Sequence, residues 1–217
     1  MDPALQRIYE LASLGLFHDA EIEVRRVRGR LRIPLPPDPK KIKKGREGFF
    51  FEARHLEAEH PDYMIPYADF TFSGIHKTAV DPFLLYAMMR QESRFRDSVV
   101  SPAGAVGILQ IMPGTGRRLA KEAGWSDYQP DWLYDPVTNI ELAVKYIKKL
   151  SDLFDGKWYA IAASYNAGEH VVKEWVAQRK GLPEEEFIEE IPYSETRDYV
   201  KKVYTNWRAY RFIYGAD

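Results

Sequence analysis

Glu92 is the residue whose place in the sequence points most directly to chemistry. It lies in the stretch DPFLLYAMMRQESRF, where Asp81 and Pro82 have the pattern of a helix N-cap and first helical residue. Leu85, Met88 and Glu92 follow at steps of three and four, so they share the apolar face of the predicted helix. A carboxylate on a core-facing stripe must be paired, kept neutral or used, which makes Glu92 a candidate general acid.

Two interpretations of Glu92 follow from the residues alone. An ion pair with Arg96 at i+4 would lower the pKa of a surface carboxyl, whereas burial beside an apolar wall would raise it. The helix face and the uncharged, glycine-rich stretch SPAGAVGILQIMP downstream favour burial, because such a stretch can pass close to a ligand. No second carboxylate stands out, since Asp97 falls near the helix end and Glu195 falls where a helix dipole would favour it.

Several other chemistries are disfavoured by the sequence. The absence of cysteine excludes disulfides, thiolate catalysis and cysteine-bound metal. His55 and His60 are five residues apart, and the sequence has neither an HExxH nor a GxSxG motif. The segment PGTG lacks the ending of a phosphate-binding loop. We therefore expect neither a metal nor a cofactor.

Apolar periodicity predicts a mainly α fold. The clearest helix is DPVTNIELAVKYIKKLSDLFDG, which Asp135 should cap, and KWYAIAASYNAG is apolar nearly all round, so its helix should be buried. A last helix is expected from about Ser194 to Tyr214, with Tyr199 on an aromatic stripe typical of a core. The tetrapeptide ILQI could form a short strand, and the acids of residues 184–190 are predicted to be a solvated face.

Composition and charge limit the class of protein. The chain has 217 residues, of which 45% are hydrophobic, enough for one substantial core or for one core with a small appendage. No stretch approaches the roughly 20 apolar residues of a membrane span, and the N-terminus lacks the pattern of a signal peptide. Residues 25–46 hold ten Lys or Arg against one acid, which fits either contact with an anionic polymer or surface or a solvated helix face and linker. Aromatic residues are not interleaved there, so we expect no nucleic acid.

Four segments of the sequence together resemble a known family. QES at 91–93, SPAGAVGILQIMPGT at 101–115 and AASYNAG at 162–168 are similar to the three motifs of soluble lytic murein transglycosylases. IPYSETRDYVKKV at 191–203 is similar to a fourth motif of that group, and the order is the same. The resemblance implies a lysozyme-like, α-helical transglycosylase domain over residues 75–217. Residues 1–74 would be a short helical N-terminal region with a basic, proline-containing linker.

The resemblance also implies a reaction and a set of site residues. Members cleave the β-1,4 bond between N-acetylmuramic acid and N-acetylglucosamine in peptidoglycan and form 1,6-anhydromuramic acid. They use one glutamate as acid and then as base, here Glu92, so no second carboxylate is needed. The remaining residues implied for the cleft are Ser101, Gln110 and Met112 near the scissile sugar, Tyr165 near the carboxyl, Asn166 supporting its turn, and Glu195 toward sugar or stem peptide.

The chain departs from the family pattern at a few positions. Relatives often carry Pro where this chain has Asp97, Met where it has Leu109, and a Pro-Gly pair in place of Glu169 and His170. These changes concern the sugar subsites rather than the proposed acid. The alternatives are a goose-type lysozyme with water as acceptor, a cell-wall-binding module without activity, and a binder of an anionic polymer or nucleic acid that uses residues 25–46. The family's substrate implies the periplasm or cell envelope as location, where the basic residues 25–46 are candidates for contact with the envelope. The oligomeric state is left open.

Overall fold

The computed structural model describes residues 80–214 together with Tyr63. Its helices are α1 (Pro82–Ser93), α2 (Pro113–Glu122), the 3-10 helix η1 (Pro130–Tyr134), α3 (Pro136–Leu153), α4 (Trp158–Ala167), α5 (Glu169–Gln178), α6 (Glu184–Glu189) and α7 (Ser194–Tyr214). Residues 80–214 contain no β-strand, only isolated antiparallel bridges from Val106 to Val100 and to Ile111. The predicted mainly α class is therefore confirmed.

Two helices begin where the local sequence predicts. Asp81 Oδ1 accepts a 2.8 Å hydrogen bond from the Phe83 N–H, and Asp135 Oδ2 accepts one of 2.8 Å from the Thr138 N–H. In each case proline follows the cap, so its missing N–H costs the helix nothing. α1 ends at Ser93 because Arg94 adopts a left-handed conformation with φ of 53°.

The buried apolar side chains come mainly from α1, α3, α4 and α7. The apolar side chains of α1 from Phe83 to Met89 are all buried. α4 contacts α3 and α5, and its residues from Ala160 to Ser164 are buried, as predicted for this apolar helix. α3 in turn contacts α2 and η1. The helices that carry the candidate site motifs are thus fixed by packing rather than by surface contacts.

One expectation about local structure is wrong, and another describes its segment only in part. The tetrapeptide ILQI does not form a strand, because Gln110 has a φ of 47° and this left-handed residue breaks the pleat after one bridge. The acidic run at 184–190 forms most of helix α6, which buries Phe187 and Ile188. Its exposed members are a solvated face as expected, but Glu184 Oε1 accepts a 2.8 Å hydrogen bond from Trp158 Nε1.

The chain divides into two compact units, and the larger one comprises Pro66–Asn206. The described part of the other unit contains Trp207–Tyr214 of α7 and Tyr63. Within it, Tyr214 Oη donates a 2.6 Å hydrogen bond to the Tyr63 carbonyl, and the Tyr63 and Tyr210 rings meet edge to face at 5.4 Å. None of the helices in the described residues is both long and apolar enough to cross a bilayer.

The predictions for the N-terminal third lie outside the described residues. These are the helical region 1–74, the basic residues 25–46, and His55 with His60. The boundary between residues 74 and 75 lies outside them too and stays a prediction.

Candidate active site

Glu92 lies in the last turn of α1 as a half-buried carboxyl held by a tyrosine. Its Oε1 accepts a 2.6 Å hydrogen bond from Tyr199 Oη, which comes from the buried face of α7. Burial raises the pKa of Glu92 from the ordinary 4.5 to about 7, and the hydrogen bond from Tyr199 limits the rise. At neutral pH this carboxyl is about half protonated, so it can both give and take a proton.

The alternative of an ion pair with Arg96 is wrong. None of the ion pairs formed within the described residues involves Glu92. The Arg96 Nε instead donates a 2.9 Å hydrogen bond to the carbonyl of Ser93, at the end of α1. The guanidinium therefore serves the unpaired carbonyls of the helix terminus, and the carboxyl is left in its apolar setting.

Tyr165, at the end of α4, lies within electrostatic reach of Glu92. Its Oη donates a 2.8 Å hydrogen bond to the Leu109 carbonyl. Burial first, then the negative charge of Glu92, raises the pKa of Tyr165 well above 10. Its phenol is therefore neutral at any working pH, and its proton is engaged by Leu109 rather than by Glu92. The direct partner of the carboxyl is Tyr199, which the sequence placed only on a core stripe.

The glycine-rich loop, residues 98–112, is held by its own predicted site residues. Ser101 Oγ accepts a 3.0 Å hydrogen bond from the Ala105 N–H, and the Ser101 N–H donates to the Ala105 carbonyl at 2.9 Å. Gln110 Nε2 donates to the Gly107 carbonyl at 2.7 Å and to the Val99 carbonyl at 3.1 Å. Both side chains thus hold the loop in shape, and the groups that bond to the loop are not open to a ligand.

Two buried side chains dock this loop onto the helices. Ser93 Oγ donates a 2.8 Å hydrogen bond to the Ile108 carbonyl. Asn139, with 0% exposure, donates to the carbonyls of Val106 at 2.9 Å and Leu133 at 2.8 Å and accepts from the Leu109 N–H at 3.0 Å. The sequence reasoning missed Asn139, although an amide within the apolar stripe of the predicted helix was a signal that could have found it.

Asn166, Met112 and Glu195 lie at the ends of helices. Asn166 Oδ1 accepts a 2.6 Å hydrogen bond from Thr196 Oγ1, which joins the end of α4 to the first turn of α7. Met112 is the N-cap of α2, and its side chain is 44% exposed. Glu195 is exposed in the first turn of α7. Met112 and Glu195 are therefore available to a ligand, whereas Asn166 links two elements.

A charged network supports the ring of Tyr165. Tyr146 Oη donates a short hydrogen bond to Glu169 Oε2, and Arg118 Nη1 lies 3.5 Å from Glu169 Oε1. The Arg118 guanidinium lies 5.4 Å from the centroid of the Tyr146 ring, which packs 5.7 Å from the Tyr165 ring. Partial burial opposes ionisation of Glu169, but the Tyr146 hydrogen bond and the cations nearby lower its pKa overall. Glu169, a departure from the family pattern, is thus an anchor.

The site as described offers acid–base chemistry by one carboxyl. Its parts are a proton donor and acceptor at Glu92, two neutral phenols beside it, and a loop fixed by buried hydrogen bonds. Within residues 80–214 and Tyr63, no group of three or more His, Asp or Glu side chains could hold a metal ion.

Comparison with known proteins identifies the family and several relatives of this chain. Residues 70–188 match the transglycosylase SLT domain family. The soluble lytic murein transglycosylases of Salmonella typhimurium and Escherichia coli (strain K12) are each 35% identical to the chain over 163 residues, or 74% of the chain and 25% of the relative. The chain thus spans about a quarter of the length of these curated relatives.

Solved structures show the same fold. The crystal structure of the 70 kDa soluble lytic transglycosylase from Escherichia coli matches 98% of this chain and 36% of that one, with 28% identity and a TM-score of 0.68. A complex of the 70-kDa soluble lytic transglycosylase with bulgecin A matches 100% of this chain and 36% of that one, with 28% identity and a TM-score of 0.69. The predicted lysozyme-like fold is confirmed.

Proposed function

We propose that this chain, which belongs to the transglycosylase SLT domain family, acts on peptidoglycan as a lytic transglycosylase. It would cleave the β-1,4 bond between N-acetylmuramic acid and N-acetylglucosamine and leave a 1,6-anhydromuramic end. The observation that carries the proposal is the single carboxyl of Glu92, whose pKa of about 7 suits both an acid and a base. Both steps of this reaction need only that one group.

In the first step Glu92 acts as general acid. Its proton passes to the glycosidic oxygen while the bond from C1 to that oxygen breaks, and N-acetylglucosamine leaves with a new hydroxyl. The carbonyl oxygen of the muramic N-acetyl group stabilises the positive charge that develops at C1, in the substrate-assisted manner known for some glycosidases. A second protein carboxylate is therefore not required.

In the second step the Glu92 carboxylate acts as general base. It removes the proton of the muramic 6-hydroxyl, and O6 attacks C1 to close the anhydro ring while the acetamido oxygen is released. Glu92 is protonated again, so the cycle closes without water. Tyr199 stabilises the carboxylate between the steps through its 2.6 Å hydrogen bond.

The surrounding residues would position the sugar at Glu92. Tyr165, fixed by the Leu109 carbonyl and the Tyr146 ring, presents a neutral phenol close to the carboxyl. Met112 and Glu195, which are exposed, would contact the glycan strand, and Glu195 would contact either a sugar or the stem peptide. Ser101, Gln110 and Asn166 would shape the cleft through the loop and turn that they hold. The substrate implies action in the periplasm or cell envelope.

Product analysis tests the reaction. Purified sacculi digested by the full chain should give muropeptides that end in 1,6-anhydromuramic acid, as identified by mass spectrometry. Glu92→Gln should give no products while keeping its fold by circular dichroism, because the amide cannot donate the proton. Products with a free reducing muramic acid, one water heavier, would instead establish a lysozyme. Equal and negligible turnover by both proteins would establish a wall-binding module.

A further inference from the structure

A polar cavity lies between α1 and α7, and Glu92 is not among the residues that line it. It has a volume of about 300 Å³ and is lined by four cationic side chains and three uncharged polar ones. The cationic residues are Arg90 and Arg94 at the end of α1 and Lys201 and Lys202 on α7. None of the residues lining it is acidic. Four cations around one cavity create a positive potential that attracts an anion.

The charges of this cavity are only partly balanced by the protein. Lys201 Nζ pairs with Glu189 at 2.8 Å, and Arg90 Nε donates a 3.3 Å hydrogen bond to Asn206 Oδ1. For Arg94 and Lys202, the described residues provide no ion pair. The helix dipole of α1 favours cations at its C-terminus, but it does not account for the two lysines within α7.

The cavity is built on the same two helices that hold the acid. Its lining includes Gln91, the residue directly before Glu92, and Lys202 lies three residues beyond Tyr199, the partner of the carboxyl. Arg90 and Arg94 are each two residues from Glu92, so their side chains leave α1 in another direction, and Arg90 reaches α7 at Asn206. Asn206 lies seven residues beyond Tyr199 on α7, so at a rise of about 1.5 Å per residue the cavity and the carboxyl contact that helix roughly 10 Å apart along its axis.

We propose that this cavity binds a carboxylate of the stem peptide carried by the muramic acid of the bound strand. The proposal rests on the proposed function, because the sugars of that strand are uncharged and its anionic groups are the peptide carboxylates. An extended tetrapeptide spans roughly 13 Å, enough to pass the end of α1 from a sugar seated at Glu92. The planar guanidinium groups suit a carboxylate, which they can bind with two parallel hydrogen bonds.

Peptide binding without sugar cleavage tests the proposal. Isothermal titration would compare a free stem tetrapeptide with the same peptide amidated at its carboxyl groups. The variant is Arg94→Asn with Lys202→Gln, since asparagine tolerates the φ of 53° at residue 94. We expect the acidic peptide to bind the full chain and to bind the variant at least about tenfold more weakly, because two charge-assisted contacts are lost. The amidated peptide should bind both poorly.

A matched variant removes the same charge elsewhere. Lys173→Gln with Lys180→Gln takes two cations from exposed positions of the same unit, and it should bind the acidic peptide like wild type. If the cavity variant fails to fold, Lys202→Gln alone, at an exposed helical position, should still weaken binding by about threefold.

Three results would overturn the assignment. They are undiminished binding by the cavity variant, equal affinity for the amidated peptide, and tighter binding of inorganic phosphate than of the peptide, which would point to a phosphate-bearing polymer. Because the titration involves no cleavage, its outcome is independent of the product analysis. Binding of the peptide without formation of anhydro products would reject the proposed reaction but support the cavity as a carboxylate site. Anhydro products without binding of the peptide would support the reaction and reject the cavity as that site.

Discussion

At the scale of single residues, the site depends on a pair that meets from distant parts of the chain. Glu92 and Tyr199 are 107 residues apart, and their side chains join at 2.6 Å. Burial raises the pKa of the carboxyl, and the phenol's hydrogen bond lowers it, with a net value of about 7. Either influence alone would leave Glu92 poorly matched to one of its two proposed steps.

Tyr199→Phe should change the pH dependence of cleavage. Losing the hydrogen bond raises the pKa of Glu92 further, so the acid form persists to higher pH. A hydrogen bond to a charged group contributes about 1.5–3 kcal/mol, which corresponds to a shift of roughly one to two pH units. The alkaline limb of the kcat/KM profile should move up by that amount, and kcat should fall because the weaker acid gives its proton to the glycosidic oxygen less readily in the first step.

Tyr165→Phe is the matched control for this pH profile. The Tyr165 hydroxyl donates to the Leu109 carbonyl rather than to Glu92, so its removal should leave the alkaline limb in place. The rate should nevertheless fall, because the buried Leu109 carbonyl loses its donor and the loop beside the cleft loosens. Identical limbs in wild type and Tyr199→Phe would show that this phenol does not tune the acid.

Some features of the site could be predicted from the sequence, and others could not. The burial of Glu92 could be inferred because helical periodicity places it on the same face as Leu85 and Met88. Its partner could not, because Tyr199 lies on a stripe with Val203 and Tyr210, and periodicity treats these positions alike. Which hydroxyl reaches the carboxyl depends on how α1 and α7 cross, and that geometry is not a local property.

At the scale of elements, the glycine-rich loop contains two glycines that are required for different physical reasons. Gly104 and Gly107 both have positive φ, at 87° and 83°. A Cβ on Gly104 would meet nothing within 4 Å, whereas one on Gly107 would lie 2.2 Å from Asn139 Nδ2 and 2.4 Å from the Leu133 carbonyl. Gly104 thus serves the turn, and Gly107 also allows the loop to dock on α3.

Substituting alanine at these two positions separates strain from close packing. Gly104→Ala should cost roughly 1–2 kcal/mol, the strain of a left-handed alanine. Gly107→Ala carries the same strain and must also displace Asn139 or the backbone of residue 133, so it should cost roughly 1–3 kcal/mol more. Urea unfolding gives both values. Equal losses would mean that the docking of the loop on Asn139 is loose.

Elements were predictable where their signals are contiguous. An Asp-Pro pair in the sequence indicates where α1 and α3 each begin, and the almost entirely apolar composition of α4 indicates that this helix is buried. The sequence did not predict α6, because its acidic residues make the segment hydrophilic on average. Phe187 and Ile188, which are buried in the structure, are too few to change that average. The ILQI segment does not form a strand because Gln110, with a φ of 47°, lies in a tight turn. Its side chain donates hydrogen bonds to the backbone carbonyls of Val99 and Gly107 there.

At the scale of the whole molecule, the proposed acid weakens the fold that holds it. The pKa of Glu92 is about 7 in the folded chain, against 4.5 for the ordinary carboxyl. A raised folded-state pKa adds stability that is complete below pH 4.5 and is lost as pH rises through 7. Above that pH the buried carboxylate therefore costs the protein stability relative to a neutral group of the same size.

Glu92→Gln should accordingly stabilise the protein at pH 8 and leave its stability nearly unchanged at pH 4.5. The difference between a pKa of about 7 in the folded chain and the ordinary 4.5 corresponds to about 3 kcal/mol, which should appear in urea unfolding at pH 8. Glu185→Gln, at an exposed carboxyl of α6, should change the free energy of unfolding by no more than about 0.5 kcal/mol at either pH. A Glu92→Gln effect of the same size at both pH values would mean that the carboxyl ionises normally, and the acid step would then need another donor.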